Sequence, residues 1–180
     1  HPISYPRQFN TRQGDELMGA RLCAVGGYLP KTVITNHDLE AKMDTTAEWI
    51  EARSGILKRH QVADDENTLT MAVAAAQDAL ERAQMTADAI DLIILATSTP
   101  VAMMPSTACL LQQALGCHNA AAFDINAACS GFIYALSVAD QFIRANSAQT
   151  VLVVGSDAMS QIVDWNDRTT CILFGDGAGA

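Results

Sequence analysis

A cysteine stands where a short apolar strand pattern gives way to a helical pattern. Cys129 lies in the sequence DINAACSGF, after the strand pattern of residues 121–126 and at the first turn of a helix predicted over 130–146. Unpaired backbone N–H groups and the helix dipole stabilise negative charge at such a position, and so favour the nucleophilic thiolate. Its neighbours are small, which leaves room for a substrate carbonyl. The pattern predicts a nucleophilic cysteine, and a packed core thiol is the alternative.

The other cysteines match neither a disulfide framework nor a metal site. The chain has five cysteines, an odd number that lies mostly in apolar stretches, whereas secreted disulfide scaffolds carry even numbers in loops. No CxxC or paired His/Cys spacing indicates zinc. We therefore expect the remaining four to be reduced, packed thiols: Cys23, Cys109, Cys117 and Cys171.

A cluster of basic residues and a tryptophan could bind a phosphorylated ligand. Trp49 lies four residues before Arg53, so the two share one helix face. A guanidinium can bind phosphate, and an indole can stack on a nucleotide base. The alternatives are a solvated face for the cluster and a core position for the tryptophan. The basic residues fall within ARSGILKRH: Arg53, Lys58, Arg59 and His60.

A glycine-rich segment near the end of the sequence invites a dinucleotide interpretation. Gly175, Gly177 and Ala180 satisfy G-x-G-x-x-G/A after a strand pattern. That fingerprint also needs a following helix and an acidic residue about 20 positions further on, and neither is in this sequence. We interpret the segment as tight glycine packing at the end of a strand.

Composition and charge exclude several classes of protein. The 180 residues are 49% hydrophobic and 17% charged, which excludes intrinsic disorder. With 11 Lys+Arg against 20 Asp+Glu, the net charge is −9, so the protein lacks the positive electrostatic potential that attracts nucleic acid. No apolar run approaches the roughly 20 residues of a membrane span, and residues 1–16 lack a hydrophobic signal-peptide centre. We expect a cytoplasmic protein that binds neither nucleic acid nor membrane.

Alternating strand and helix patterns predict the framework that positions these side chains. Strand patterns cover 21–28, 92–99, 121–126, 150–157 and 169–177. Helical patterns cover 36–42, 45–55, 68–83, 105–116 and 130–146. Strands that are apolar on both faces and alternate with helices predict a mainly parallel sheet covered by helices on both sides.

Several details of the helices follow from single residues. Asn36 is predicted to cap the first helix, and Gly55 and Gly116 to end the second and fourth. The helix over 130–146 is apolar nearly all round, so we expect it to be buried.

The chain divides into an arm and one domain. Residues 1–17 mix proline, glycine and polar side chains without a period, which is typical of a flexible arm or of a leader added for expression. Residues 18–180 form the predicted domain. Its last strand pattern is followed by no element that could cover the sheet, so we expect one half of a larger layered structure.

Four long motifs occur in a specific order. They are DTTAEWIEARSGI at 44–56, FDINAACSGFIYAL at 123–136, LVVGSD at 152–157 and DRTTCILFGDGAGA at 167–180. From about Arg21 onward the chain resembles the N-terminal half of the beta-ketoacyl-acyl-carrier-protein synthase III family, which are initiating condensing enzymes. The resemblance implies an α/β, thiolase-like fold, with this chain as one half of a layered αβαβα architecture.

The resemblance also implies an activity. Cys129 would take an acyl group from acyl-CoA, and a carbanion from decarboxylated malonyl-acyl carrier protein would attack the thioester to start fatty-acid synthesis. The Cys129 N–H would supply one arm of the oxyanion hole. The family's decarboxylation His and Asn belong to the second half of the fold, and no histidine of this sequence matches that His motif: not His37, His60 or His118.

The same resemblance implies site residues, binding partners and alternative functions. Trp49 and Arg168 resemble the pair that sandwiches the CoA adenine, Arg53 a phosphate contact, and Thr45 a hydrogen-bonding residue near the adenine. Met104 resembles the residue that reaches across a homodimer to shape the partner's acyl pocket. No tightly bound cofactor is implied, since acyl-CoA is a substrate. A sister enzyme making a polyketide, alkylquinolone or HMG-CoA-like product, and a non-catalytic acyl-CoA-binding half-protein, remain alternatives.

Overall fold

The computed structural model describes residues 19–180, and the arm predicted at 1–17 lies outside them. The strands are β1 (Gly27–Tyr28), β2 (Thr32–Thr35), β3 (Lys58–Gln61), β4 (Leu92–Ala96), β5 (Ala121–Ile125), β6 (Val151–Ala158) and β7 (Asp176–Gly179). The α-helices are α1 (Asn36–Glu40), α2 (Ala47–Ser54), α3 (Thr68–Ala83), α4 (Thr107–Leu115) and α5 (Gly131–Arg144). Short 3-10 turns cover Ala87–Ala89, Ala128–Ser130 and Met159–Gln161.

The main sheet has five strands in the order β1-β7-β6-β4-β5. β4 is buried along its whole length and runs parallel to both β5 and β6, as the apolar strand patterns predicted. β7 is antiparallel to β6, and β1 is antiparallel to β7, so the sheet is mixed at that edge. β2 and β3 form a separate antiparallel pair.

Helices cover both faces of the sheet, as predicted. α3 and α4 pack on one face around Ile93, Leu95 and Val154. α5 packs on the other face through Ala135 and Ala139. Within residues 19–180, no helix has the length and apolar character needed to cross a membrane.

The prediction that α5 is buried all round is wrong for the described part of the chain. Ala135 and Ala139 are buried against the sheet, but Ile133 and Tyr134 remain 60% and 55% exposed. One sheet covers one face of a helix, so an apolar helix needs a second layer before its outer face is also removed from water.

Two of the three predicted helix ends agree with the structure. Gly55 and Gly116 end α2 and α4 with φ values of 71° and 74°, the left-handed conformation that glycine tolerates, as predicted. The predicted cap at Asn36 is wrong, because Thr35 caps α1 in a reciprocal capping box with Asp38. Asn36 is instead buried, and its side-chain amide donates to the Ile56 carbonyl.

Two predicted strands are shorter than their patterns. Only the last two residues of the 21–28 pattern pair with the sheet, as β1. β4 ends at Ala96, and the rest of the 92–99 pattern forms a turn. The Thr97 side chain bonds to Asp157 of β6 and the Thr99 side chain to Thr68 of α3, so the chain leaves the sheet after Thr97.

The strand predicted over 169–177 is wrong, because β7 begins only at Asp176. The Asp167 carboxylate accepts hydrogen bonds from the N–H and hydroxyl of Thr169 and from the hydroxyl of Thr170, so the chain turns where the apolar pattern favoured extension. Two apolar residues of that pattern, Cys171 and Ile172, join a separate buried cluster with Leu39 and Ile50, and Leu173 remains exposed.

One close backbone approach gives a stability prediction. A Cβ at Gly26 would lie 2.3 Å from the Ala79 nitrogen and 2.4 Å from the Ala75 oxygen of α3. We expect Gly26→Ala to lower the free energy of unfolding by about 2 kcal/mol or more, because backbone atoms must move apart. Gly27→Ala is the matched control, since its Cβ would meet nothing closer than 3.7 Å. Urea unfolding that finds the two variants equally stable would contradict this account.

Candidate active site

Cys129 lies at the carboxyl edge of the parallel strands. It follows β5, while the loops after β4 and β6 leave the same edge because the three strands run in one direction. Met104 belongs to the loop after β4, and Arg168 to the segment between β6 and β7. The topology therefore places three predicted site residues at the edge where open α/β sheets bind ligands.

The turn that carries Cys129 has an unusual backbone. Ala128 has a φ of 47°, a left-handed value that L-residues other than Asn and Asp seldom adopt, and the chain then forms a 3-10 turn before α5 begins. The N–H groups of Ser130 and Gly131 donate to the carbonyls of Ala127 and Ala128. The turn exposes Cys129 just before the first residue of α5, and its position between a strand and a helix is the predicted one.

Gly131 allows this turn to approach the sheet. A Cβ at that position would lie 3.2 Å from the Ala96 Cβ, at the carboxyl end of β4. The absence of a side chain at Gly131 therefore allows α5 to pack closely on β4.

Exposure distinguishes Cys129 from the buried thiols. Cys117 and Cys171 are fully buried, and burial raises the pKa of each thiol, which disfavours a thiolate there. Cys109 is partly buried, and its thiol donates to the Ala122 carbonyl. Cys23 is exposed, contrary to the packed position expected for it.

A second cluster forms around Trp49. The guanidinium carbon of Arg168 lies 5.1 Å from the Trp49 ring centroid, and that of Arg53 lies 5.7 Å from it. Both are cation–π distances. Trp49 itself is half-buried. The structure thus brings together three of the four residues that the resemblance implied for CoA binding.

Neighbouring polar groups hold Arg168 in place. Its Nη1 donates to the Asp44 carbonyl oxygen, and the Asp44 carboxylate lies 3.8 Å away. Thr169 and Thr170 donate hydrogen bonds to the Asp167 carboxylate, which close a turn around Arg168 and hold the pKa of Asp167 below its usual value. Sequence reasoning missed Asp44, although it stands directly before Thr45 in the DTTAEW motif.

Thr45 has a feature that fits a ligand contact. Its hydroxyl oxygen is buried and makes no hydrogen bond within residues 19–180. A buried hydroxyl without a partner is costly, and a ligand atom could supply the missing bond. Thr45 lies just before the Thr46 cap of α2, the helix that presents Trp49.

The predicted basic cluster is divided by the fold. Arg53 and Lys58 are exposed, but Arg59 is only 5% exposed, and its Nη2 donates to the Asn36 side chain and the Ile172 carbonyl. Burial lowers the pKa of the Arg59 guanidinium. The prediction of a solvent-facing patch of four is therefore wrong for Arg59, because pairing of β2 with β3 turns it inward.

Met104 lies in a protruding loop. Met104 is 84% exposed and its neighbour Met103 is 91% exposed, which leaves two flexible apolar side chains in solvent. Exposed apolar side chains at a loop tip are typical of contact surfaces.

Comparison with known proteins identifies the family. The sequence-family model for 3-oxoacyl-(acyl-carrier-protein (ACP)) synthase III matches residues 123–180. A beta-ketoacyl-(acyl-carrier-protein) synthase III of Xanthomonas campestris pv. campestris strain 8004 is 57% identical over 161 residues, which cover 89% of this chain and 50% of that protein. The chain belongs to the synthase III family. It spans about half the length of the curated relatives it matches, in agreement with the predicted N-terminal half.

Solved structures agree with the synthase III assignment. The synthase III of Aquifex aeolicus VF5 has a TM-score of 0.85 at 53% identity, covering 87% of this chain and 51% of that one. The priming beta-ketosynthase of the R1128 polyketide biosynthetic pathway has a TM-score of 0.86 at 39% identity, covering 88% and 48%. These matches confirm the predicted α/β, thiolase-like fold class.

Proposed function

We propose that this chain provides the nucleophile and the CoA site of an initiating condensing acyltransferase. The observation that carries the proposal is Cys129, exposed at the carboxyl edge of the sheet where a 3-10 turn enters α5. The names of the relatives support it, since they are beta-ketoacyl-(acyl-carrier-protein) synthases III.

The first half-reaction is acyl transfer to sulfur. The Cys129 thiolate attacks the carbonyl of acyl-CoA, the bond from that carbonyl to the CoA sulfur breaks, and CoA leaves as its thiolate and takes up a proton. Backbone N–H groups at the start of α5, including that of Cys129, stabilise the oxyanion that forms.

The second half-reaction is condensation. Malonyl-acyl carrier protein loses CO2, and the resulting carbanion attacks the carbonyl of the Cys129 thioester. The bond from the carbonyl to Cys129 breaks, which regenerates the thiolate and leaves a 3-oxoacyl group on the carrier protein. The residues that promote decarboxylation lie outside this sequence.

Trp49, Arg168, Arg53 and Thr45 recognise CoA in this proposal. The Arg168 guanidinium lies 5.1 Å from the Trp49 ring centroid, so it moves outward to admit the adenine between them, which needs two contacts of about 3.5 Å each. Arg53 contacts phosphate, and the unpartnered Thr45 hydroxyl hydrogen-bonds nearby. Acyl-CoA is a substrate, and no tightly bound cofactor is required. Met104 shapes the acyl pocket of the partner subunit in a homodimer.

A sister activity is the second candidate. The priming beta-ketosynthase of a polyketide pathway matches this chain as well by TM-score as the fatty-acid enzymes do. Such an enzyme performs the same two half-reactions with a different primer or carrier protein, so the primer and the carrier protein that are accepted separate the two.

The test is a product assay on the full-length protein. We expect acetyl-CoA or another short acyl-CoA, with malonyl-acyl carrier protein, to yield 3-oxoacyl-acyl carrier protein, free CoA and CO2 in equal amounts. Product formation only with the carrier protein of a polyketide pathway would favour the sister activity. No product and no CoA release with any primer would contradict both, and would favour a non-catalytic binding protein.

A further inference from the structure

We propose that Asp157 is a positioning residue that fixes the acyl pocket by clamping the loop between β4 and α4 (residues 97–106). The inference rests on the proposed function, because it concerns the choice of acyl-CoA primer. Sequence reasoning did not single out Asp157, although it is the one charged residue of the LVVGSD motif.

Asp157 faces the side of the sheet that carries Cys129. Side chains alternate along a strand, and on β6 Val153 packs in the α5 cluster while Gly155 lies against Phe132, the second residue of α5. Asp157 lies two residues after Gly155, so its side chain is on the same face of β6 and nearer the carboxyl edge of the sheet. It therefore lies beside the end of α5 where Cys129 is exposed.

One oxygen of this carboxylate holds the first turn of the loop. Asp157 Oδ1 accepts hydrogen bonds from the Ser98 N–H at 2.7 Å, the Thr97 hydroxyl at 3.2 Å and the Thr99 hydroxyl at 3.3 Å. Three donors from consecutive residues converge on one atom. Hydrogen bonds to a charged acceptor are stronger than those between neutral groups, so the position of residues 97–99 is well defined.

A second carboxylate holds the other end of the loop. Asp124, on β5, accepts hydrogen bonds from the Thr107 N–H at 2.9 Å and the Ala108 N–H at 2.7 Å, at the start of α4. The loop after β4 is therefore held at its start by Asp157 of β6 and at its end by Asp124 of β5. Between the two ends the loop carries Met103 and Met104, whose side chains are exposed.

Buried hydroxyls extend the clamp into the core. Thr99 is 8% exposed, and its hydroxyl accepts from the Ala158 N–H at 2.9 Å. Its carbonyl accepts from the Thr68 hydroxyl at 2.6 Å, at the start of α3. The turn is therefore anchored on β6 and α3, and only the tip of the loop can adapt to an acyl chain.

The test measures primer choice in the full-length protein. Rates of Cys129 acylation are compared for acetyl-CoA, butyryl-CoA and isovaleryl-CoA with Asp157→Ala, Asp157→Asn and wild type. We expect Asp157→Ala to reduce the discrimination between the best and worst primers about tenfold, because a small displacement of pocket groups alters reactivity strongly. Asp157→Asn keeps an oxygen acceptor for the Ser98 N–H, and should restore most of the discrimination.

A control separates positioning from general loss of stability. Asp91 accepts the N–H groups of Gln149 and Thr150 at 2.8 and 2.9 Å, at the opposite edge of the same sheet. We expect Asp91→Ala to lower the denaturation midpoint without changing primer discrimination. Thr97→Val, which removes one donor and keeps the side-chain shape, should shift discrimination in the same direction as Asp157→Ala and serves if that variant does not fold.

Each outcome decides a specific point. Discrimination unchanged in both Asp157→Ala and Thr97→Val, or changed equally in Asp91→Ala, overturns this inference while leaving the proposed function in place. A wild-type protein that accepts none of the primers overturns the proposed function, and this inference with it.

Discussion

Replacing Cys129 by serine should reduce acyl transfer from acyl-CoA by at least about a thousandfold, since the variant lacks the only thiol exposed at the carboxyl edge of the parallel strands in residues 19–180. Serine has nearly the same shape, so the turn after β5 should persist. Its hydroxyl remains protonated at neutral pH without a general base, and is a far weaker nucleophile than a thiolate. The measurement is the rate of CoA release in the full-length protein.

The matched control for this loss is Cys23→Ser. Cys23 is the other exposed thiol of the described residues, but it precedes β1 and belongs to neither cluster of the site. We expect its replacement to leave the rate of CoA release within about twofold of wild type. Equal losses in the two variants, or retained activity in Cys129→Ser, would mean that Cys129 is not the acyl carrier.

Replacing Arg168 by alanine should raise the KM for acyl-CoA about tenfold, with little change in kcat. Arg168 lies over the Trp49 ring at 5.1 Å and is anchored at the Asp44 carbonyl oxygen, so it stands next to the ring that stacks on the adenine and moves outward to admit it. A cation–π and stacking contact of this kind contributes roughly 1–2 kcal/mol, and 1.4 kcal/mol corresponds to a factor of ten. The contact is remote from the reacting carbonyl, so binding and not chemistry should change.

An acyl donor without the nucleotide makes this prediction sharper. Acyl-pantetheine carries the reacting thioester but lacks the adenosine and its phosphates, so Arg168→Ala should not alter its kcat/KM. Arg82→Ala is the protein control, because Arg82 forms an ion pair with Asp78 on α3 and has no contact with Trp49. If Arg168→Ala impaired both donors equally, Arg168 would not be recognising the nucleotide.

Local sequence patterns predicted an element correctly where the residues of one segment determine its structure. α3 spans Thr68–Ala83 as its apolar spacing predicted, and the two glycines at 55 and 116 end helices as expected. The position of Cys129 between a strand and a helix also followed from the sequence, because both neighbouring patterns are long and apolar.

Long-range contacts and side-chain hydrogen bonds explain what the sequence patterns missed. Arg59 looks like part of a basic surface patch, but β2–β3 pairing and the Ile172 carbonyl bury it. The side chains of Asp157 and Asp167 bind nearby backbone and hydroxyl groups, which ends β4 early and delays β7. The approach of Arg168 to Trp49 joins segments far apart in sequence, so only the family resemblance placed them together.

The most direct test of the account is to locate the acyl group. The full-length protein is incubated with acetyl-CoA bearing an isotopically labelled acetyl group, without malonyl-acyl carrier protein, and is then digested and mapped by mass spectrometry. The account predicts one labelled acetyl group per chain, on the peptide that contains Cys129 and as a thioester that hydroxylamine removes. Label on any other cysteine, or an unlabelled Cys129 peptide while CoA is released, would contradict it.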